Sequence, residues 1–172
     1  MTGAATPAEL ARRFAAALGE VEGDPEVLAS AAEAHDRAVE LVGERGAVVD
    51  AHPDLAGLAD RVSVTDDVWA ADVGVTGAVA AIAETGTLVL AATADTPRRT
   101  SLVPPVHIAV VPLSRLVATY ADGVDAISRL DPPPSSIHLI TGPSRSADIE
   151  LNLVRGVHGP RDVHVLLYPD AG

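Results

Sequence analysis

Two short segments carry the residue types that could do chemistry. In Ile82-Ala83-Glu84-Thr85-Gly86-Thr87, a lone carboxylate and a Thr-Gly-Thr turn lie between apolar runs. Burial at such a place would disfavour the charged carboxylate and raise its pKa, which suits Glu84 to act as a general base or carboxylate nucleophile near neutral pH. The competing structural role is a carboxylate that caps the Thr85–Thr87 turn. In the second segment the apolar run Ile137 to Ile140 breaks into Thr141-Gly142-Pro143-Ser144-Arg145-Ser146-Ala147-Asp148-Ile149-Glu150, followed by Gly156-Val157-His158-Gly159-Pro160. A buried strand that delivers such a loop to one edge of an α/β sheet puts it where ligands bind.

Gly142, Ser144 and Ser146 have the composition of a backbone amide nest leading into a helix N-terminus, a cradle for an anion. Asp148 and Glu150, placed in that first turn, would instead satisfy the helix dipole themselves. His158, with Gly156 and Gly159 freeing the backbone around it, is the histidine best placed for function. Arg98 and Arg99 follow the polar loop from Thr93 to Pro97 and could clamp a carboxylate or phosphate bidentately, or simply stay solvated. His138 and His164 fall inside strand runs, His107 opens one, and His35 and His52 are expected at the surface. No pair has metal-ligand spacing, so no metal site is expected. Gly142-Pro143-Ser144-Arg145-Ser146 does not fit G-x-S-x-G, which disfavours a serine hydrolase.

Composition narrows the chemistry further. The chain has 172 residues and no cysteine, which excludes disulfides, thiolate nucleophiles and Cys-ligated zinc or iron–sulfur centres from this polypeptide. All 12 basic residues are arginine, so lysine chemistry is absent as well. A net charge of -12 with few aromatics opposes nucleic-acid binding. The longest apolar region, Val73 to Ala92, is interrupted by Gly74, Gly77, Glu84 and Gly86 and is not a membrane span. The N-terminus reads as a helix rather than a signal peptide, and a cytoplasmic location is expected.

The elements that must position these residues follow from periodicity. Helices are predicted from Pro7 to Gly19 and from about Pro25 to Val42, then Pro53 to Arg61, Ser114 to Tyr120 and Gly123 to Leu130. Strands are predicted at Ala47 to Val49, Val62 to Thr65, Val73 to Thr76, Leu88 to Ala92, Val106 to Val111, Ile137 to Thr141 and Val163 to Tyr168. Near-continuous apolar strands interspersed with helices indicate an α/β domain whose sheet is covered on both faces. Residues 1–45 form an N-terminal helical segment and 46–172 the α/β domain.

At Ile82 to Thr87, Leu102-Val103-Pro104 with His107-Ile108, Gly142-Pro143-Ser144 with Asp148-Ile149-Glu150, and Gly156 to Pro160, the chain resembles the LUD domain of the lactate-utilisation protein C (LutC/YkgG) family. The resemblance covers about Asp72 to Tyr168. It implies a NagB/RpiA/CoA-transferase-like three-layer α/β domain with a mixed, mainly parallel sheet and N-terminal helices. It also implies a non-redox part, by assembly or substrate binding, in a multi-protein system oxidising L-lactate to pyruvate. Iron–sulfur clusters would then sit on a partner and not on this chain, beside oxidoreductase subunits. The absent lysines disfavour the isomerase chemistry of the related sugar-phosphate fold, and Gly77-Ala78-Val79 carries valine where many relatives have a polar residue. The alternative function is a stand-alone CoA-transferase-like enzyme with Glu84 as nucleophile.

Taken together, Glu84 is the candidate catalytic residue. Thr85, Gly86, Thr87, Arg98, Arg99, Gly142, Ser144, Asp148, Glu150, His158 and Gly159 are the candidate ligand contacts, for a small carboxylate or other anion. Thr85, Thr87, Gly142, Ser144 and His158 are expected to converge on one cleft.

Overall fold

A computed structural model describes residues 5–147, 153–155 and 159–170. Helix α1 (Pro7–Glu20) starts at a capping box in which Thr6 and Glu9 satisfy each other's backbone amides, and it buries Ala11, Phe14 and Leu18 at helical spacing. Strand β1 (Asp24–Val27) and helix α2 (Ala31–Val42), capped by the Ser30 hydroxyl, follow. The second helix thus starts later than periodicity suggests. Pro25 lies instead in an edge strand paired with Val165, a place where its missing N–H is tolerated.

Next come β2 (Ala47–Val49), β3 (Val73–Thr76), β4 (Ala80–Ile82), β5 (Thr87–Ala92), α3 (Arg99–Leu102), β6 (Val106–Pro112), β7 (Leu116–Val117), α4 (Tyr120–Ser128), β8 (Ser136–Ile140), β9 (Arg145–Ala147), β10 (Leu153–Arg155) and β11 (Asp162–Tyr168). Three expectations are corrected. The helix expected from Pro53 to Arg61 is a pair of 3-10 turns, Pro53–Leu55 and Ala59–Arg61. The strand expected at Val62 to Thr65 reduces to one bridge between Val64 and Ala47. The helix expected from Ser114 to Tyr120 is a 3-10 turn followed by β7, because Leu116 and Val117 pair with β4. Helix α4 in turn starts at Tyr120, where Thr119 and Asp122 form a capping box.

The strands form a five-stranded parallel sheet in the order β1-β11-β6-β3-β2, a four-stranded mixed sheet in the order β7-β4-β5-β8, and a β9–β10 ribbon. This bears out an α/β fold with a mainly parallel sheet, and the mixed character resides in the second sheet. The parallel sheet is apolar on both faces, as a covered sheet must be. Ala34, Ala38 and Val42 of α2 pack on Val73, Val75, Ile108, Val110 and Leu166. Ala109, Val111, Val163, Val165 and Leu167 on the other face meet Ala81, Leu88, Leu90 and Ile140 of the second sheet, together with Phe14 and Leu18 of α1. The outer face of the second sheet, with Ile82 and Val89, is covered by Ala126 and Ile127 of α4.

Gly86 shows how tightly α1 is seated. Its φ is +65° and a Cβ there would run into the backbone of Ala17 and Leu18. Both the left-handed conformation and the close approach demand glycine. Gly86→Ala is therefore expected to destabilise the fold by at least about 2 kcal/mol in denaturant titrations.

Candidate functional site

The core between the two sheets ends at Leu90 and Ala78, and beyond them it gives way to a cavity of about 250 Å³. The cavity lies outside the carboxyl ends of β2 and β3, the edge at which open parallel sheets bind ligands. It is bounded by Asp50, His52, Thr76, Gly77, Ala92, Arg98, Ser101 and His138, among others. The small residues Gly77, Ala78, Ala91 and Ala92 leave the space open. Gly77 is obligatory for a second reason, since a Cβ on it would strike the His52 ring.

Each polar side chain is placed by its element. Asp50 ends β2; its amide donates to the Val75 carbonyl (3.0 Å), which draws the carboxyl inward until it is only 8% exposed. Burial pushes its pKa up to about 7, opposed by a hydrogen bond with Thr100, and its Oδ1 has no partner among the described residues. His52 is held by the 3-10 turn that it caps: its Nδ1 accepts from the Asp54 amide at 3.2 Å. That bond puts the ring proton on Nε2. Asp54 Oδ2 lies 3.4 Å from the same ring, but burial lowers the His52 pKa more than Asp54 raises it, so the pair is not an ion pair at neutral pH. His138 projects inward from β8 with its Nε2 3.0 Å from the Ser136 hydroxyl, its pKa lowered first by burial and then by Arg98. Arg98 is exposed at the rim and its guanidinium forms no hydrogen bond or ion pair with a described residue.

Beneath the cavity, Thr76 on β3 is bonded to His107 on β6, with Oγ1 2.9 Å from Nε2. His107 is wholly buried and its pKa falls to about 4, through burial and then the neighbouring His164.

The residues singled out from sequence separate into two groups. Arg98 lines this cavity, whereas Arg99 lines a neighbouring one of about 450 Å³ with Asp66, Asp67, Trp69 and Asp95. Thr85 and Thr87 lie at the opposite end of β5, roughly 16 Å from the Ala92 end at the rise of a strand. There Thr85, Thr87 and Thr141 form a chain of hydroxyls at 2.7 and 2.6 Å, and Gly142 packs against Val21. Ser144 donates its amide to the Pro160 carbonyl at 2.8 Å, beside Gly159. Asp148, Glu150 and His158 lie outside the described residues, as do Gly156 and Val157. Where a helix was expected to follow Gly142, Arg145–Ala147 is instead a strand paired with Leu153–Arg155.

Glu84 is also corrected. It is exposed, and its Oε2 accepts the Tyr120 amide at 3.0 Å, so it satisfies the first turn of α4 rather than sitting in an apolar pocket. Sequence reasoning missed Asp50, Thr76 and His107, and took His52 for a surface residue. The one signal available was a strand followed at once by acid, as in Val49-Asp50, or by threonine and glycine, as in Thr76-Gly77.

Fold and cavity together define an α/β domain with a candidate site at the edge of its parallel sheet. Residues 50–168 match the LUD domain, and the chain belongs to that family, as its motifs suggested. It is similar to lactate utilization protein C of an Exiguobacterium species, at 43% identity over 58% of this chain and 45% of the relative. It is also similar to lactate utilization protein C of Bacillus subtilis, at 43% identity over 58% of this chain and 43% of the relative. The matched stretch thus spans less than half of these curated relatives. In fold it matches the crystal structure of a DUF162 family protein from Deinococcus radiodurans, with a TM-score of 0.73 at 24% identity, over 96% of this chain and 99% of the other.

Two outcomes are expected. Asp50, with its raised pKa, makes the folded protein more stable as pH falls from about 7 toward 3.8. His107, with its lowered pKa, makes it less stable as pH falls from 6.5 toward about 4, so the two trends oppose each other. Asp50→Asn should therefore gain stability over the parent at pH 7.5, by roughly 2–4 kcal/mol at most, and lose most of that advantage by pH 4.5. A stability difference that stays constant between those pH values would contradict the buried-acid assignment. Glu84→Gln, which keeps an acceptor for Tyr120, should change unfolding free energy by less than about 1 kcal/mol.

Proposed function

We propose that this chain serves lactate utilisation by binding a small monocarboxylate, L-lactate or its oxidation product, in the cavity between Asp50 and Arg98. The observation that carries this reading is that one cavity is lined both by a guanidinium at its rim with no hydrogen bond or ion pair among the described residues and by a buried carboxyl whose pKa is pushed up to about 7. A guanidinium recognises a carboxylate bidentately, and a group with a pKa near 7 can give or take a proton at the adjoining hydroxyl or carbonyl. The volume admits a molecule of a few heavy atoms together with several waters.

Oxidation of lactate removes two electrons. With no cysteine, this chain offers no Cys-ligated cluster to take them, so the reading assigns the electrons to an oxidoreductase partner carrying iron–sulfur clusters. The role here is to hold and orient the substrate within that multi-protein system. Support for the process comes from the relatives, whose printed names concern lactate utilization. Among the described residues no helix is long and apolar enough to cross a membrane. A CoA-transferase role for Glu84 has no comparable support, because the side chain is exposed and committed to α4.

The test is calorimetric titration of the full chain with sodium L-lactate and sodium pyruvate. Arg98→Gln is expected to weaken binding about tenfold or more, as loss of a charged hydrogen-bonding partner should. Arg99→Gln and Thr85→Val should leave it within a factor of two. Equal binding by parent and Arg98→Gln would overturn this site assignment.

A further inference from the structure

The buried Thr76–His107 pair has no function in the packing that a valine and a leucine would not serve better. Burying two polar side chains is unfavourable unless their hydrogen bonds are made, and this pair makes one bond and leaves His107 Nδ1 without a partner among the described residues. The arrangement decides where the protons go. The ring is neutral and carries one proton. If that proton were on Nδ1, an N–H donor would be buried with no described residue to receive it, the least tolerated form of unpaired group. With the proton on Nε2, the ring donates to Thr76 Oγ1 and only a lone pair goes unmatched. Thr76 Oγ1 is then an acceptor toward His107, and its own proton is available elsewhere.

That proton has one evident use. Thr76 borders the cavity, on the sheet face opposite the one packed by α2, and its hydroxyl makes no other hydrogen bond to a described residue. We propose that Thr76, positioned by His107, is the fixed hydrogen-bond donor on the cavity floor that recognises the oxygen on the α-carbon of the bound carboxylate. This rests on the carboxylate-site reading above and adds a specificity-determining residue to it. Arg98 at the rim supplies charge and Thr76 on the floor supplies direction. A ligand with an oxygen on the carbon next to its carboxylate, as in an α-hydroxy or α-keto acid, engages both; a plain alkanoate engages only Arg98.

The experiment has two independent readouts on the full chain. Long-range proton–nitrogen NMR on ring-labelled histidine should show His107 protonated at Nε2 and not at Nδ1 at pH 7.5. Titration with sodium L-lactate should show Thr76→Val weakened about tenfold, with Thr76→Ser restored to within about threefold. Thr76→Ala, which leaves room for a water to receive the His107 proton, replaces the valine variant should the latter fail to fold. Sodium propionate, lacking the α-oxygen, should bind parent and Thr76→Val alike. An Nδ1-protonated His107, or lactate binding by Thr76→Val and Thr76→Ala equal to the parent's while Arg98→Gln is weakened, overturns the role of Thr76 and leaves the carboxylate site standing. Lactate binding absent from the parent overturns both.

Discussion

A parallel sheet must be covered on both faces, and the way this one is covered decides everything else. Helix α2 covers one face, while the other is covered mainly by a second sheet, whose Ala81, Leu88, Leu90 and Ile140 meet the small and β-branched side chains of β6 and β11. Two sheets pack without gaps only while side chains from both fill the space between them. At the carboxyl ends of β2 and β3 the filling stops, because Gly77, Ala78 and Ala92 are too small to continue it. The cavity is the volume left when this inter-sheet core runs out.

The polar groups at that end have opposite electrostatic characters that suit one small anion. Asp50 is held inward by its backbone bond to β3 and its pKa is pushed up to about 7, His52 and His138 are pushed toward their neutral forms by burial, and Arg98 at the rim has no hydrogen bond or ion pair among the described residues. A site for a doubly charged phosphate would gather more than one cation. The fully buried His107 extends the same logic beneath the floor, where a neutral ring can orient a hydroxyl without introducing charge.

Much of the fold was legible along the chain. The strands at Val73–Thr76, Val106–Pro112 and Asp162–Tyr168 are rich in valine, isoleucine and leucine and flanked by proline, glycine or acid, a pattern that favours buried strands. Helix α1 announced itself through Thr6, Pro7 and Glu9. Where reading failed, a tertiary partner overrode a local preference. Asp24–Val27 became a strand because β11 offered an unpaired edge, and Leu116–Val117 became one because β4 did. Glu84 was misread for the same reason: apolar neighbours on both sides suggested burial, yet a residue in the turn between β4 and β5 points outward to meet the next helix.

The sequence by itself determined which chemistries are available to this polypeptide, since side-chain inventory does not depend on folding: no thiolate, no lysine amine, an acidic surface and twelve guanidiniums. It also determined the α/β class and the LUD family, because both are written in local patterns and in motifs kept in order. Only the tertiary structure decided which polar residues share a site. Asp50, Thr76, Arg98 and His138 come from four separate stretches and meet because parallel pairing sets the ends of β2 and β3 side by side, while the second sheet brings β5 and β8 over them. The same strand geometry carried Thr85 and Thr87 to the far end of β5, away from Arg98, although fewer than fifteen residues separate them in the chain. Proximity along a strand is proximity along its axis, and a site at one edge of a sheet is closed to residues at the other.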